Sequence, residues 1–177
     1  MRKINGAAGT GCRHLQREPE HGTGVHSSAP ETLVGMGFRG WIRGAEDGDL
    51  SCLQHVWTMY SNALGPLRAR VAVDGLAKWS SAVSFACRCK VEVGRLEARG
   101  FCRNESLAVS MIAACQHNTC PAMRACAFAL IENGGVDEVL HHASTFALIL
   151  RSLDKVVPAS WIVNANAYVA GPSGQLH

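Results

Sequence analysis

Residues 101–126 read FCRNESLAVSMIAACQHNTCPAMRAC and predict a helical hairpin. Apolar side chains recur at helical spacing over residues 104–116, and Glu105 places negative charge in the first turn, where the helix dipole favours it. Pro121 suits the first position of a second helix, which the Asn-Gly-Gly run at residues 133–135 should end. We therefore expect two antiparallel helices with a turn near Cys120.

Three further helices are predicted on either side of this hairpin. Apolar residues at helical spacing indicate a helix over residues 48–64, and Gly65 followed by Pro66 separates it from a helix over residues 66–86. A helix over residues 136–153 has the clearest apolar stripe in the chain: Val136, Val139, Leu140, Ala143, Phe146, Ala147 and Leu150. Five helices joined by short turns predict an all-α, single-domain bundle.

The stretches between and before these helices have weaker patterns. Residues 87–100 lose the helical periodicity and are interpreted as a connector, in which the alternation of residues 90–94 favours one short strand. Residues 1–36 are rich in glycine and histidine and poor in large apolar side chains, so they are expected to form a flexible leader. Met36 is therefore an alternative to Met1 as the functional start.

The bundle domain is predicted to span residues 37–170. Phe38, Trp41 and Ile42 are bulky but are separated by glycines, so residues 37–44 are interpreted as a short docking segment. The apolar residues 161–163 should fold back on the bundle, and residues 171–177 should form a frayed tail.

Composition excludes several classes of protein. The formal net charge of the 177 residues is only +3, and the basic side chains are scattered, which argues against a nucleic-acid partner. The chain begins with no apolar run of the length that a secretory signal has, and it contains no stretch of about 20 apolar residues. We therefore expect a cytoplasmic protein that does not bind a membrane. Its oligomeric state does not follow from the sequence.

The eight cysteines are the main functional question. In a reducing cytosol they are expected to be packing residues, metal ligands or redox groups rather than permanent disulfides. Helical geometry places Cys115 and Cys126 on the core faces of the hairpin, close to each other, with Ser110 and His117 on the opposite side. Both thiols are interpreted as packing residues, because burial makes a thiol inert.

A second group of thiols is predicted at the connector. Cys87 and Cys89 follow the end of the predicted helix over residues 66–86. Cys102 lies at the N-terminus of the predicted helix over residues 104–116, where the helix dipole favours a thiolate. Basic residues surround them: Arg88, Lys90, Arg99 and Arg103. This group is the better candidate for a metal or redox role, although the three could also be incidental loop thiols.

His117 and Cys120 form the second candidate for such a role. Cys102 and Cys120 should lie at opposite ends of the hairpin, roughly 25 Å apart, so they cannot act together. The spacing of the cysteines matches no established metal motif, and no catalytic signature is present.

The sequence is therefore compatible with two functions. The first is a non-enzymatic protein that binds an unidentified protein or small ligand, with mainly structural cysteines and no cofactor. The alternative is a thiol-dependent protein that senses redox state or binds zinc or iron through Cys87, Cys89 and Cys102, or through His117 and Cys120. An enzyme with a pocket between helices has no supporting set of residues.

Overall fold

A computed structural model describes residues 29–131 and 134–162. Within these ranges the chain forms six α-helices, one 3-10 turn and no β-strand, which confirms the prediction of an all-α, single-domain bundle. The helices are α1 (Pro30–Asp47), α2 (Leu50–Leu64), α3 (Pro66–Ala86), α4 (Arg103–Gln116), α5 (Cys120–Ile131) and α6 (Val136–Ser152), and the 3-10 turn is Ala159–Trp161.

The helices pack in pairs across the bundle. Helix α1 packs on α4, α3 packs on α6, and contacts between α1 and α3 and between α4 and α6 join these pairs. Helix α2 covers one edge of this arrangement by packing on α1 and α3, and α5 covers the opposite edge by packing on α4 and α6. The start of α4 and the ends of α1, α3 and α5 consequently approach the long connector after α3, where the candidate site lies.

Helix α1 is the main correction to the sequence analysis. The predicted boundary at residue 36 falls inside this helix, which begins at Pro30, and Leu33 and Val34 are fully buried. The docking segment over residues 37–44 is likewise part of α1. Residues 1–28 and 171–177, where the rest of the leader and the frayed tail were predicted, lie outside the described residues.

The glycines that separate the bulky residues of the predicted docking segment over residues 37–44 are packing residues of α1. A Cβ atom on Gly37 would approach the Tyr60 hydroxyl at 2.8 Å, and one on Gly40 would approach a methyl group of Val56 at 2.5 Å. The absence of side chains at these positions lets α2 pack closely against the α1 backbone, and burial of the apolar face offsets the low helix propensity of glycine.

The other predicted boundaries differ by a few residues at most. Helix α3 has the predicted bounds, α6 ends one residue early, and α5 begins at Cys120 so that Pro121 occupies its second position. Residues 90–94 form no strand, because they have no neighbouring strand to pair with and pack instead around side chains of α1 and α4. Residues 132 and 133, where α5 was expected to end, lie outside the described residues.

Helix α4 is the most enclosed helix of the bundle. All eight residues from 107 to 114 are buried, because α1, α5, α6 and the 3-10 turn cover different sides of it. Ser110 is therefore not on an outer face, as the helical wheel predicted, but fully buried. A row of aromatic rings crosses the neighbouring core: Trp79 lies 5.3 Å from Phe38 and 5.6 Å from Phe146 between ring centroids.

The segment after α6 folds back on the bundle, as predicted for residues 161 and 162. Gln116 is the anchor, since its Nε2 donates to the Lys155 carbonyl at 2.9 Å and its Oε1 accepts from the Val157 backbone N–H at 2.8 Å. Trp161 and Ile162 are half-buried against the core, and residue 163 lies outside the described residues. Among the helices that the structure describes, none is both long enough and apolar enough to cross a membrane.

Replacing Phe146 by Ala tests the aromatic row. Phe146 is fully buried, so the change should lower the free energy of unfolding by roughly 3 to 5 kcal/mol. Phe85→Ala is the matched control, because Phe85 is 89% exposed and its loss should cost less than about 0.5 kcal/mol. Urea denaturation measures both, and equal losses for the two variants would contradict this core.

Candidate functional site

A buried ion pair joins α1 to the start of α4. The Nε of Arg39 donates to Oε1 of Glu105 at 2.7 Å, and its Nη2 donates to Oε2 at 2.7 Å. Both side chains are inaccessible to solvent. This parallel, two-point geometry is the strongest that a guanidinium and a carboxylate can form.

Arg39 also holds the second half of the connector. Its Nη1 donates to the carbonyls of Arg95 at 3.2 Å and Ala98 at 2.8 Å, and its Nη2 donates to the carbonyl of Gly100 at 2.6 Å. One side chain thereby satisfies three carbonyl groups of a segment that has no regular structure of its own. Apart from one local turn, in which the Ala98 backbone N–H donates to the Arg95 carbonyl at 3.0 Å, the path of residues 95–100 is thus set by a side chain of α1.

Glu105 holds the connector from the other side. Its Oε1 accepts from the Gly94 backbone N–H, and its Oε2 accepts from the Cys102 backbone N–H, each at 2.8 Å. Cys102 is the N-cap of α4, and Glu105, three residues later, completes a capping box. The charge that the sequence analysis assigned to the helix dipole therefore also orders the loop before the helix.

The two charges stabilise each other. Burial by itself would raise the pKa of Glu105, but the hydrogen bonds from Arg39, Cys102 and Gly94 outweigh it and hold the pKa below its ordinary value of 4.5. The hydrogen bond to Glu105 raises the pKa of Arg39. Both groups are therefore charged in the folded protein near neutral pH.

The ordered connector forms one wall of a groove at this end of the bundle, which we call the end groove. Its volume is about 960 Å³, and the last turns of α1 and α5, residues 87–94 and the start of α4 line it. Cys87, Cys89 and Cys102 all line this groove. The structure thus brings together the three connector thiols that the sequence analysis grouped.

Two of these thiols have identified hydrogen-bond acceptors. The Cys87 thiol donates to the Leu130 carbonyl at 3.5 Å, and the Cys102 thiol donates to the Glu92 carbonyl at 3.7 Å. Both are half-buried, whereas Cys89 is exposed. The groove therefore contains one thiol in contact with solvent and two that are partly shielded.

Charges of both signs surround the end groove. Lys90 joins the connector to the end of α1, since its Nζ lies 2.7 Å from an Asp47 oxygen and 3.4 Å from a Glu46 oxygen. The hydrogen bond with Asp47 raises the pKa of Lys90 and lowers that of Asp47. Arg43, also on α1, donates to the Gly94 carbonyl at 3.4 Å.

The other predicted pair lies at the far end of α4. The length of this helix separates Cys102 from His117 by about 22 Å at 1.5 Å per residue. His117 and Cys120 therefore do not line the end groove. His117 is exposed, but its Nε2 lies 2.9 Å from the Val157 carbonyl and helps to hold the segment after α6. Cys120 is exposed at the start of α5.

Cys115 and Cys126 pack inside the bundle, as predicted. Cys126 is fully buried and its thiol lies 3.3 Å from the Ser110 hydroxyl, whereas the half-buried Cys115 lies 3.8 Å from the Ser144 hydroxyl. Burial raises the pKa of Cys115 to about 11 and also raises that of Cys126. Both thiols are therefore protonated and unreactive near neutral pH.

Within residues 29–131 and 134–162, no three His, Cys, Asp or Glu side chains are arranged to hold a metal ion together. Zinc or iron at Cys87, Cys89 and Cys102 would require these side chains to leave their described positions. Metal binding by this group therefore stays a prediction.

The buried roles of Arg39 and Glu105 were not predicted from the sequence. One feature of the sequence could have indicated the role of Arg39. Residues 33–42 have the apolar pattern of a buried helix if their glycines are treated as packing residues, and Arg39 is the one charged residue among them. No protein-family model matches the chain, and no curated protein or solved structure is similar to it. Function is therefore inferred from this geometry alone.

Replacing Glu105 by Gln tests the ion pair. The change leaves Arg39 buried without a counter-charge, so the free energy of unfolding near neutral pH should fall by roughly 3 to 5 kcal/mol. The pKa of Glu105 in the folded protein lies below its ordinary value of 4.5. The unfolded chain therefore binds a proton at this carboxylate more readily than the folded protein does. The contribution of the carboxylate is therefore complete above about pH 4.5 and is lost as the pH falls through the folded-state pKa.

The difference in the free energy of unfolding between wild type and Glu105→Gln should consequently shrink as the pH falls. Urea denaturation at a series of pH values measures this difference. Asp47→Asn is the matched control, because Asp47 pairs with Lys90 at the surface and its loss should change stability little. A difference that does not depend on pH would contradict the ionised pair.

Thiol labelling tests the assignment of the cysteines. In the native protein a maleimide should modify Cys89 and Cys120 first, because both are exposed, while Cys52, Cys115 and Cys126 should react only on unfolding. Peptide mapping by mass spectrometry after short and long reaction times gives the order. Modification of Cys126 as fast as that of Cys120 would show that the α4–α5 interface is open.

Proposed function

We propose that this chain is a non-enzymatic binding protein and that the end groove holds its ligand or partner. The observation that carries the proposal is the groove itself, a concavity of about 960 Å³ built from the ends of several helices and one ordered connector. Its volume lies within the range of about 300 to 1,000 Å³ that is typical of ligand sites. The Arg39–Glu105 pair supports the proposal, because Glu105 holds the backbone of Gly94 and Cys102 in the groove lining and so reduces the entropic cost of binding.

The lining favours an extended peptide segment over a small apolar molecule. Charged side chains of both signs line the groove: Arg43, Arg88, Lys90 and Arg103 are basic, and Glu46, Asp47 and Glu92 are acidic. Apolar residues of α5, including Leu130 and Ile131, form part of the floor. A mixed rim around a partly apolar floor resembles the polar rim and apolar centre of protein interfaces.

A thiol-dependent response is the second candidate, and one observation favours it. Three of the seven described cysteines line the same groove, and all three lie at or between the two ends of the connector. Oxidation or metal loading of these thiols would alter the groove directly. Under this candidate the chain senses redox state or binds zinc or iron, and binding of the partner depends on the state of the thiols.

Cross-linking from defined positions tests the proposal. Both variants carry Cys12→Ser, which removes the cysteine outside the described residues. A maleimide photocross-linker on Cys89, applied briefly, probes the end groove when Cys120 is also replaced by Ser, and the same reagent on Cys120 probes the far end of the bundle when Cys89 is replaced by Ser. We expect a discrete adduct in cell extract from Cys89 and none from Cys120, because only the former lies in the groove. The same adducts from both positions, or none from Cys89, would contradict the proposal.

The second candidate predicts a further difference in the same experiment. If the groove thiols respond to redox state, the yield of the Cys89 adduct should change when the unlabelled Cys87 and Cys102 are oxidised with diamide before illumination. An unchanged yield would leave the first proposal in place and argue against the second.

A further inference from the structure

A second cavity lies beside the first turns of α1, and it shares no lining residue with the end groove. Its volume is about 500 Å³. Phe101, Trp161 and Met36 supply apolar walls, and among the described residues Glu31 is the one ionisable side chain in the lining. All four of these side chains are half-buried, and Phe101 and Trp161 also pack against the edge of the core.

Two separate parts of the chain bring the aromatic walls together. Gly35 of α1 has no side chain where the Phe101 ring lies, and a Cβ atom there would clash with that ring. Trp161 arrives from the 3-10 turn Ala159–Trp161, and its ring lies 5.7 Å from that of Phe101 between centroids at an angle of 59°. The two rings therefore form a corner rather than a stack.

The carboxylate of Glu31, which lines the same cavity, is incompletely satisfied. Its Oε2 is shielded from solvent and has no hydrogen-bond partner among the described residues. A carboxylate oxygen removed from water without a partner is costly, so a cation in the cavity would be stabilised. Arg39 cannot fill this role, because it lies 5.9 Å over the Phe101 ring while bound to Glu105.

We propose that this cavity binds a compact organic cation of the trimethylammonium type. Two aromatic rings at an angle attract a cation through their electron-rich faces, and a nearby carboxylate adds a direct charge interaction. The methyl groups of a trimethylammonium ion would cover the apolar surfaces of Phe101, Trp161 and Met36. A primary ammonium ion fits less well, because it keeps three N–H donors that need acceptors and is more strongly hydrated.

Titration with choline tests the proposal on the full chain. The indole N–H signal of Trp161 should shift in a nitrogen–proton correlation spectrum, and its absence from the spectrum of Trp161→Leu identifies it among the four tryptophans. Dimethylbutanol, in which a carbon atom replaces the nitrogen of choline, should bind about tenfold more weakly because it has the same shape without the charge. Ethanolamine should also bind more weakly than choline.

Two variants and one control locate the binding. Glu31→Gln keeps the size of the side chain and removes its charge, so choline should bind about tenfold more weakly. Trp161→Leu should have a similar effect, followed through the methyl signal of choline. Trp57→Leu is the control, since Trp57 lies on α2 outside the cavity and its loss should not affect binding.

Unchanged binding in Glu31→Gln, or equal binding of choline and dimethylbutanol, would overturn the proposal. Stronger binding of ethanolamine would overturn the assignment to trimethylammonium compounds. None of these outcomes depends on the end groove, so the proposal can fail while the proposed function stands, and the reverse also holds.

Discussion

The rest of the structure depends on the buried pair of Arg39 and Glu105. These two side chains make hydrogen bonds with five backbone groups between residues 94 and 102, in addition to the two bonds that they make with each other. The connector has no strand or helix to satisfy its own backbone, and buried groups without partners are costly. The ion pair is thus the element that turns an irregular stretch of chain into a fixed wall.

The pair can form only because α1 lies close to its neighbours. Gly37 and Gly40 remove the side chains that would keep α2 away, and Gly35 makes room for Phe101 on another side of the same helix. These glycines disfavour an isolated helix, so α1 depends on tertiary contacts to form. Burial of its apolar residues, the path of the connector and the position of Phe101 are therefore parts of a single packing arrangement rather than separate features.

The sequence predicted the helices well where a single apolar stripe dominated. It misled where glycines serve as packing contacts inside a helix and where a helix is buried on more than one side. Helices α2, α3 and α6 have a clear apolar stripe and capping glycine, aspartate or proline residues, and their bounds were predicted within two residues. Helix α1 was missed because its glycines read as breaks, although they are contacts. Ser110 was misplaced because a helical wheel assumes one buried face, whereas α4 is covered on several sides. The three connector thiols line one groove, but Arg39, whose ion pair with Glu105 orders the connector, lies far from them in the chain.

The pair is better understood as specifying a conformation than as a net source of stability. Removing two charges from water costs several kcal/mol per ion, and mutual attraction repays that cost only with good geometry. Apolar residues of similar volume could hold α1 against α4, but they could not satisfy the carbonyls of Arg95, Ala98 and Gly100. Through Glu105 the pair holds Cys102 in the end groove, and through Gly100 it holds the residue next to Phe101 in the second cavity. One charged contact therefore determines the geometry of both sites, which an apolar contact between the same helices would leave undefined.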